Sequence, residues 1–164
     1  MATLSIAPTC HISSDNDAVT LEIFIAAPRE RVFEALTDPK QAPRWWGRKD
    51  EYYLSQFNMD VRVGGKWSTS GQSVKSGDLE VHGEFLEVDP PRRLMYSWIS
   101  SWLPKFTKVL WELETQAKGT LVKLTHTGFA GSADATKAHS HGWSLVFTWL
   151  QAYVEKGETG DTGK

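Results

Sequence analysis

The stretch His141-Gly142-Trp143-Ser144-Leu145-Val146-Phe147-Thr148-Trp149-Leu150-Gln151-Ala152-Tyr153-Val154-Glu155 decides the fold. At a helix's spacing its polar residues Ser144, Thr148, Gln151 and Glu155 fall on one narrow line, and the rest of the circumference is apolar or small. A helix with so little polar surface must be enclosed by protein. The segments upstream read mostly as strands, so the enclosure they can offer is a curved sheet wrapped around the helix. A bowl of that kind tends to leave a cavity against the helix, and that cavity is where function is expected.

Working outward, short strands are expected over 18–26, 53–59, 62–71, 79–88, 94–101, 107–115 and 120–127. Asp89-Pro90-Pro91-Arg92 and Lys118-Gly119 mark turns between them. Period-two alternation assigns their faces. Val109, Trp111 and Leu113 oppose Lys108, Glu112 and Glu114, and Val122, Leu124 and His126 oppose Lys123 and Thr125. Trp67, Phe85, Leu94, Tyr96 and Trp98 are placed inward by the same reading. Pro28 opens one short helix with an apolar stripe of Val32, Phe33, Ala35 and Leu36. Asp38-Pro39 begins a second, which ends at Trp45-Trp46-Gly47. The fold class is α+β. Residues 17–156 are expected as a single domain, 1–16 as a flexible polar lead-in and 157–164 as a flexible tail.

Composition narrows the classes. The chain has 164 residues, long enough for a full core, and a formal net charge of −2. No basic field is available for a polyanion, so nucleic acid is not expected as a partner. Arg44, Arg48 and Lys49 read as a solvated loop. The single cysteine, Cys10, allows no disulfide within the chain, and its polar surroundings in sequence give no geometry for a nucleophile. Met1 to Ala7 lack the pattern of a signal peptide and no apolar run has membrane-spanning length. A cytoplasmic location without membrane insertion is the expectation. Eight tryptophans are an unusual endowment: they either fill a core or give a cavity a broad apolar wall with a few N–H donors.

The order of short motifs resembles a known family. Val32-Phe-Glu-Ala-Leu-Thr-Asp-Pro39 with Trp45-Trp46 comes first, then Asp60-Val-Arg62-Val-Gly-Gly65, then Gly83-Glu-Phe85 with Pro90-Pro-Arg-Arg-Leu94 and Trp98. Gly119-Thr120, Leu124-Thr-His-Thr-Gly-Phe129 and His141-Gly142-Trp143 follow. Together they resemble the family named after the C-terminal domain of the activator of Hsp90 ATPase, within the START-like and Bet v 1-like superfamily. The resemblance spans about residues 18 to 156. It implies a helix-grip fold, in which a curved antiparallel sheet holds a long C-terminal helix and two short helices after the first strand close one end. It also implies an interior of the kind that in superfamily relatives binds lipids, sterols, hormones or polyketides, and in some cyclises or hydrolyses them. Family members that stimulate Hsp90 carry a separate N-terminal domain that this chain does not match, so Hsp90 is not expected as a partner.

The candidate site follows from the inward aromatic residues. Trp45 and Trp46 are expected at the entrance, Phe57, Trp67, Phe85, Trp98 and Trp111 on the sheet wall, and Trp143 and Phe147 on the helix wall. His126 and His139 are the polar anchors; the alternative for each is a core histidine whose nitrogens are satisfied by backbone or hydroxyls. His141 falls near the polar line and is expected to be exposed. No HExxH, CxxC or GxSxG pattern is present, no inward carboxylate stands out as a general base, and no cofactor or metal is expected. Asp60 and Arg62 read either as an ion pair at the mouth or as turn chemistry before a strand bent at Gly64-Gly65. The favoured function is binding of a small hydrophobic or aromatic ligand. A histidine-dependent cyclase or hydrolase is one alternative. A protein-interaction module or homodimer contact around Trp102, Leu103 and Phe106 is another.

Overall fold

The computed structural model describes residues 7–160. Nine strands form one antiparallel sheet in the order β1-β2-β9-β8-β7-β6-β5-β4-β3. They are β1 (Thr9–Ile12), β2 (Ala18–Ile25), β3 (Gly47–Arg48), β4 (Tyr52–Met59), β5 (Lys66–Ser73), β6 (Gly77–Asp89), β7 (Arg93–Ser100), β8 (Thr107–Gln116) and β9 (Gly119–Thr127). The helices are α1 (Arg29–Thr37), α2 (Ala42–Trp45) and α3 (Ala133–Lys156). Order and direction follow from tight turns, except for β2, which pairs with β9 because α1, α2 and the meander lie between them in sequence.

The expected faces hold. Val109, Trp111, Leu113, Val122, Leu124 and His126 are all buried, as are Trp67, Phe85, Leu94, Tyr96 and Trp98. The polar partners on alternate positions keep the outer face charged, where Arg93 joins Glu87 and Glu112, each at 3.0 Å. The alternation works because each strand buries one face only, so a shift of one residue would expose the whole apolar set.

The long helix sits in the grip of this sheet. Ser132 caps it by accepting from Ala135 N at 3.2 Å, and Gly157 ends it in the left-handed conformation at φ 70°. The polar line expected from the sequence has a structural use. Ser144 and Thr148 hydroxyls donate to carbonyls one turn back. Gln151 Nε2 donates to Phe24 O at 2.9 Å, and Glu155 accepts from Ala26 N at 2.8 Å. The end of β2 would otherwise leave these backbone groups without partners beside the helix.

Several expectations change. The lead-in contributes an edge strand: Thr9–Ile12 pairs with 19–22 of β2, and Ser13 and Asp15 side chains close the turn that follows. Cys10 Sγ lies 2.9 Å from Ser140 Oγ of α3. The remainder of the lead-in, 1–6, and the end of the tail, 161–164, lie outside the described residues; the near part of the tail is held by Gly160 N donating to Arg44 O. The strand expected from residue 62 begins only at Lys66, because 60–65 form a turn in which Arg62 pairs with Asp60 in the open. Gly65 is required there: a Cβ would lie 1.9 Å from Asp60 O. Gly64-Gly65 lie outside any strand, so they do not bend one; the ladder is interrupted instead by register shifts between Leu54 and Gln56 in β4 and between Phe85 and Glu87 in β6. The basic cluster is not simply solvated. Arg48 donates to Trp45 O and Gly47 O and lies over Trp149, while Arg44 lies over Tyr153.

Among the described residues no helix is long and apolar enough to cross a membrane.

Candidate functional site

The aromatic layer between sheet and helix is continuous but unevenly filled. On the β7-β8-β9 side it is solid. Trp111 stacks on Phe147 with ring centroids 5.5 Å apart and meets Trp143 edge-on at 5.8 Å. Its Nε1 donates to Tyr96 OH at 2.9 Å. Burial raises the Tyr96 pKa far above its ordinary value, so the phenol stays neutral. Phe85 packs edge-on against Tyr96.

His126 ties this side together. It is fully buried on β9. Trp143 Nε1 of α3 donates to His126 Nδ1 at 2.9 Å, so Nδ1 carries a lone pair. The ring proton is therefore on Nε2, 2.8 Å from Thr107 Oγ1 of β8, and Thr107 in turn donates to Trp98 O of β7 at 2.7 Å. Every donor in this relay finds one acceptor, and the relay joins β7, β8, β9 and α3. Burial, then the neighbouring His139, holds the His126 pKa well below the ordinary histidine value. His126 is thus a satisfied core histidine with no free nitrogen for a ligand.

On the β4-β5-β6 side the sheet stands away from the helix. A cavity of ≈ 230 Å³ lies there. Its sheet wall is Leu54, Trp67, Thr69, Leu79, Val81 and Trp98; its helix wall is Ala138, His139, Gly142, Trp143 and Val146. Trp46, Tyr52, Ser73, Ser76 and Trp102 complete the lining. None of these side chains is charged when His139 is neutral. The helix wall follows from spacing: 138, 139, 142, 143 and 146 share one face. Gly142 keeps that wall low, since a Cβ built on it meets nothing within 4 Å.

The expected residues divide accordingly. Trp46, Trp67, Trp98, His139 and Trp143 line the cavity. Trp45 does not stand at the entrance; it is fully buried, stacks on Trp46 at 5.2 Å and donates to Ala35 O at 3.0 Å. Phe57 does not line the cavity; it packs against two residues that do, Trp46 at 5.8 Å and Trp67 at 6.4 Å between ring centroids. Phe85, Trp111, His126 and Phe147 belong to the filled side. Tyr52, Leu54, Thr69, Leu79, Val81 and Gly142 were missed. For Thr69 and for Leu79 and Val81 the signal was present, since they share strand parity with Trp67 and Phe85. Trp102 is half-exposed and lies against the cavity, stacking edge-on with Trp98, so part of the 101–106 connection forms its rim.

Two polar atoms of the wall are buried without partners, Trp98 Nε1 and His139 Nε2. Trp46, Trp67 and Trp143 all place their N–H groups on acceptors. His139 Nδ1 lies 2.8 Å from Ala135 O, which can only accept, so the proton is on Nδ1 and Nε2 offers a lone pair. Burial lowers the His139 pKa despite that bond, which favours the neutral ring. His141 is exposed, as its position on the helix requires. Among the described residues no three His, Cys, Asp or Glu side chains converge as metal ligands.

Solved structures share this architecture. A Rhodobacter sphaeroides protein superposes with a TM-score of 0.80 at 19% identity, over 92% of this chain and 99% of its own. A Chromobacterium violaceum protein gives 0.76 at 25% identity, over 85% and 97%. The AHSA1-like protein from Aeromonas hydrophila gives 0.70 at 23% identity, over 85% and 93%. A comparison with curated protein sequences finds no match. The family model described as Activator of Hsp90 ATPase homolog 1-like protein matches residues 26–155, from the end of β2 through nearly all of α3. That span holds both the filled aromatic side and the cavity, and the chain belongs to this family.

Proposed function

We propose that this protein binds a small, uncharged, apolar or aromatic molecule in the cavity between β4-β5-β6 and α3. The observation that carries the reading is a space of ≈ 230 Å³ walled by Trp46, Trp67, Trp98 and Trp143 with no charged side chain. An apolar cavity of about 150 Å³ accommodates a benzene ring, so this one has room for about two fused rings. A charged ligand would be desolvated with no opposite charge to meet it. The cyclase or hydrolase alternative has less support: both His126 nitrogens are engaged by Thr107 and Trp143, and His139 bonds backbone rather than a carboxylate.

The test is titration of intrinsic tryptophan fluorescence with naphthalene, in the native chain and in Gly142→Phe. Saturable quenching is expected in the native protein and its loss in the variant, whose added ring projects from the helix wall. Absence of saturable quenching in a folded native protein overturns the reading.

A further inference from the structure

The unpartnered atoms in the wall specify more than apolarity. Trp98 and His139 are each more than nine-tenths buried, at 8% and 7% exposure, and both line the cavity. One offers a donor, the indole N–H; the other offers an acceptor, the Nε2 lone pair. Both flank the His126 ring, with centroids 5.6 Å and 5.1 Å from it, and both meet the rim residue Trp102 at 6.3 Å. They therefore lie beside the same part of the cavity, and since both nitrogens are themselves covered, a ligand meets them as the two rings turn slightly toward it. Buried polar groups are nearly always paired in native proteins, and neither of these is held away from its own kind of partner by a neighbour that takes its place.

Neighbouring groups set their character. The second His139 nitrogen is committed to Ala135 O, which fixes the tautomer and prevents Nε2 from becoming a donor while the ring is neutral. His126 cannot serve as its partner, because both His126 nitrogens are used in the relay to Thr107 and Trp143. Trp98 contributes its carbonyl to that same relay, which anchors the strand while its indole N–H is left without an acceptor.

Resting on the binding function proposed above, we infer that the ligand is a flat, neutral molecule carrying a hydroxyl or N–H that donates to His139 Nε2 and a carbonyl-type oxygen that accepts from Trp98 Nε1. A site that leaves two buried polar atoms without partners discriminates against analogues that cannot reach them more strongly than an apolar wall discriminates by shape. The prediction concerns polarity at two points. Transfer from water alone would favour the methyl and alkene analogues, so a preference for the oxygenated member of a matched pair identifies the wall as its source.

Two matched pairs of probes test it by fluorescence titration. 2-Naphthol against 2-methylnaphthalene exchanges a hydroxyl for a methyl. 2-Acetylnaphthalene against 2-isopropenylnaphthalene exchanges a carbonyl oxygen for a methylene. In the native protein the oxygenated member of each pair is expected to bind about tenfold tighter or more. His139→Phe should abolish the first preference and keep the second; Trp98→Phe should do the reverse. A measurement independent of the variants is the Trp98 indole N–H resonance in a ¹⁵N-resolved spectrum. It should move downfield with 2-acetylnaphthalene and not with 2-isopropenylnaphthalene. Equal affinities within both pairs, with saturable binding of all four probes, would overturn this inference and leave the apolar-ligand reading standing. Failure of all four to bind would remove that reading as well.

Discussion

His126 and His139 lie 5.1 Å apart, both buried and both neutral, yet they sit in different kinds of interior. Around His126, strands β8 and β9 and the helix close in, and each ring nitrogen has one partner. Around His139 the wall retreats, an acceptor and a donor go unmatched, and a glycine occupies mid-helix. The same inward pattern of aromatic residues built both. An excess of buried indoles therefore does not by itself distinguish a core from a pocket; the distance between the facing elements does. The helix α3 packs most closely on β1 and β2, and the cavity lies between it and β4, β5 and β6.

The contrast can be broken most readily at Trp111. Trp111→Ala removes the ring stacked on Phe147 and strands the Tyr96 hydroxyl, so a loss of about 3–5 kcal/mol is expected. Urea denaturation reads it directly. A loss close to that of a surface substitution would mean that the filled side is not close-packed.

The histidines provide the next comparison. His126→Leu leaves Trp143 Nε1 without its acceptor, a cost of about 1–3 kcal/mol. His139→Leu removes one bond to its own helix and one unmatched lone pair, so the net change is expected to be within about 1 kcal/mol. Equal losses in the two variants, measured by denaturation, would erase the distinction drawn between them.

Titration sharpens the same point. Both folded-state pKa values lie below the ordinary 6.5, so the unfolded chain binds protons more readily than the native one. Stability is therefore complete above about pH 6.5 and falls as the pH drops below it, by up to about 1.4 kcal/mol per unit for each histidine. The melting temperature should decline between pH 7 and pH 5. Asp15 and Asp38 have lowered pKa values too, but their contribution is lost only below their ordinary 3.8. His126→Gln can still accept from Trp143 and donate to Thr107 without titrating, and it should flatten the slope. An unchanged slope would place the titrating group elsewhere.

The smallest effect is expected at Gly142. Gly142→Ala adds a Cβ into open space and improves helix propensity, so a gain of about 1 kcal/mol is expected. Thermal unfolding measures it. Destabilisation would show that the helix wall is already as close to the sheet here as it is beside Phe147.

Much of this molecule could be read without coordinates. The inward and outward faces of β7, β8 and β9 and the enclosed helix are set by local periodicity, which sterics impose on any strand or helix. Trp67, Trp98, His139 and Trp143 are legible as cavity residues because they obey it, whereas Trp46, at the end of a short helix, is not fixed by any period. Edge strand β1 is not legible because three exposed residues and the half-buried Ile12 are too short a run to show alternation; its pairing depends on β2 being there to receive it.

What periodicity determined was which side chains face inward and that a sheet must surround α3. Only the tertiary structure decided which inward residues touch and which face a gap. That choice put Trp111 and Phe147 in the core, Trp98 and His139 on a cavity wall, and a relay of hydrogen bonds on His126 alone. The physical reason is that a face is a property of one segment's backbone geometry, whereas a cavity is a separation between segments distant in sequence. That separation is set by bulges, crossing distances and packed volumes that no single segment records.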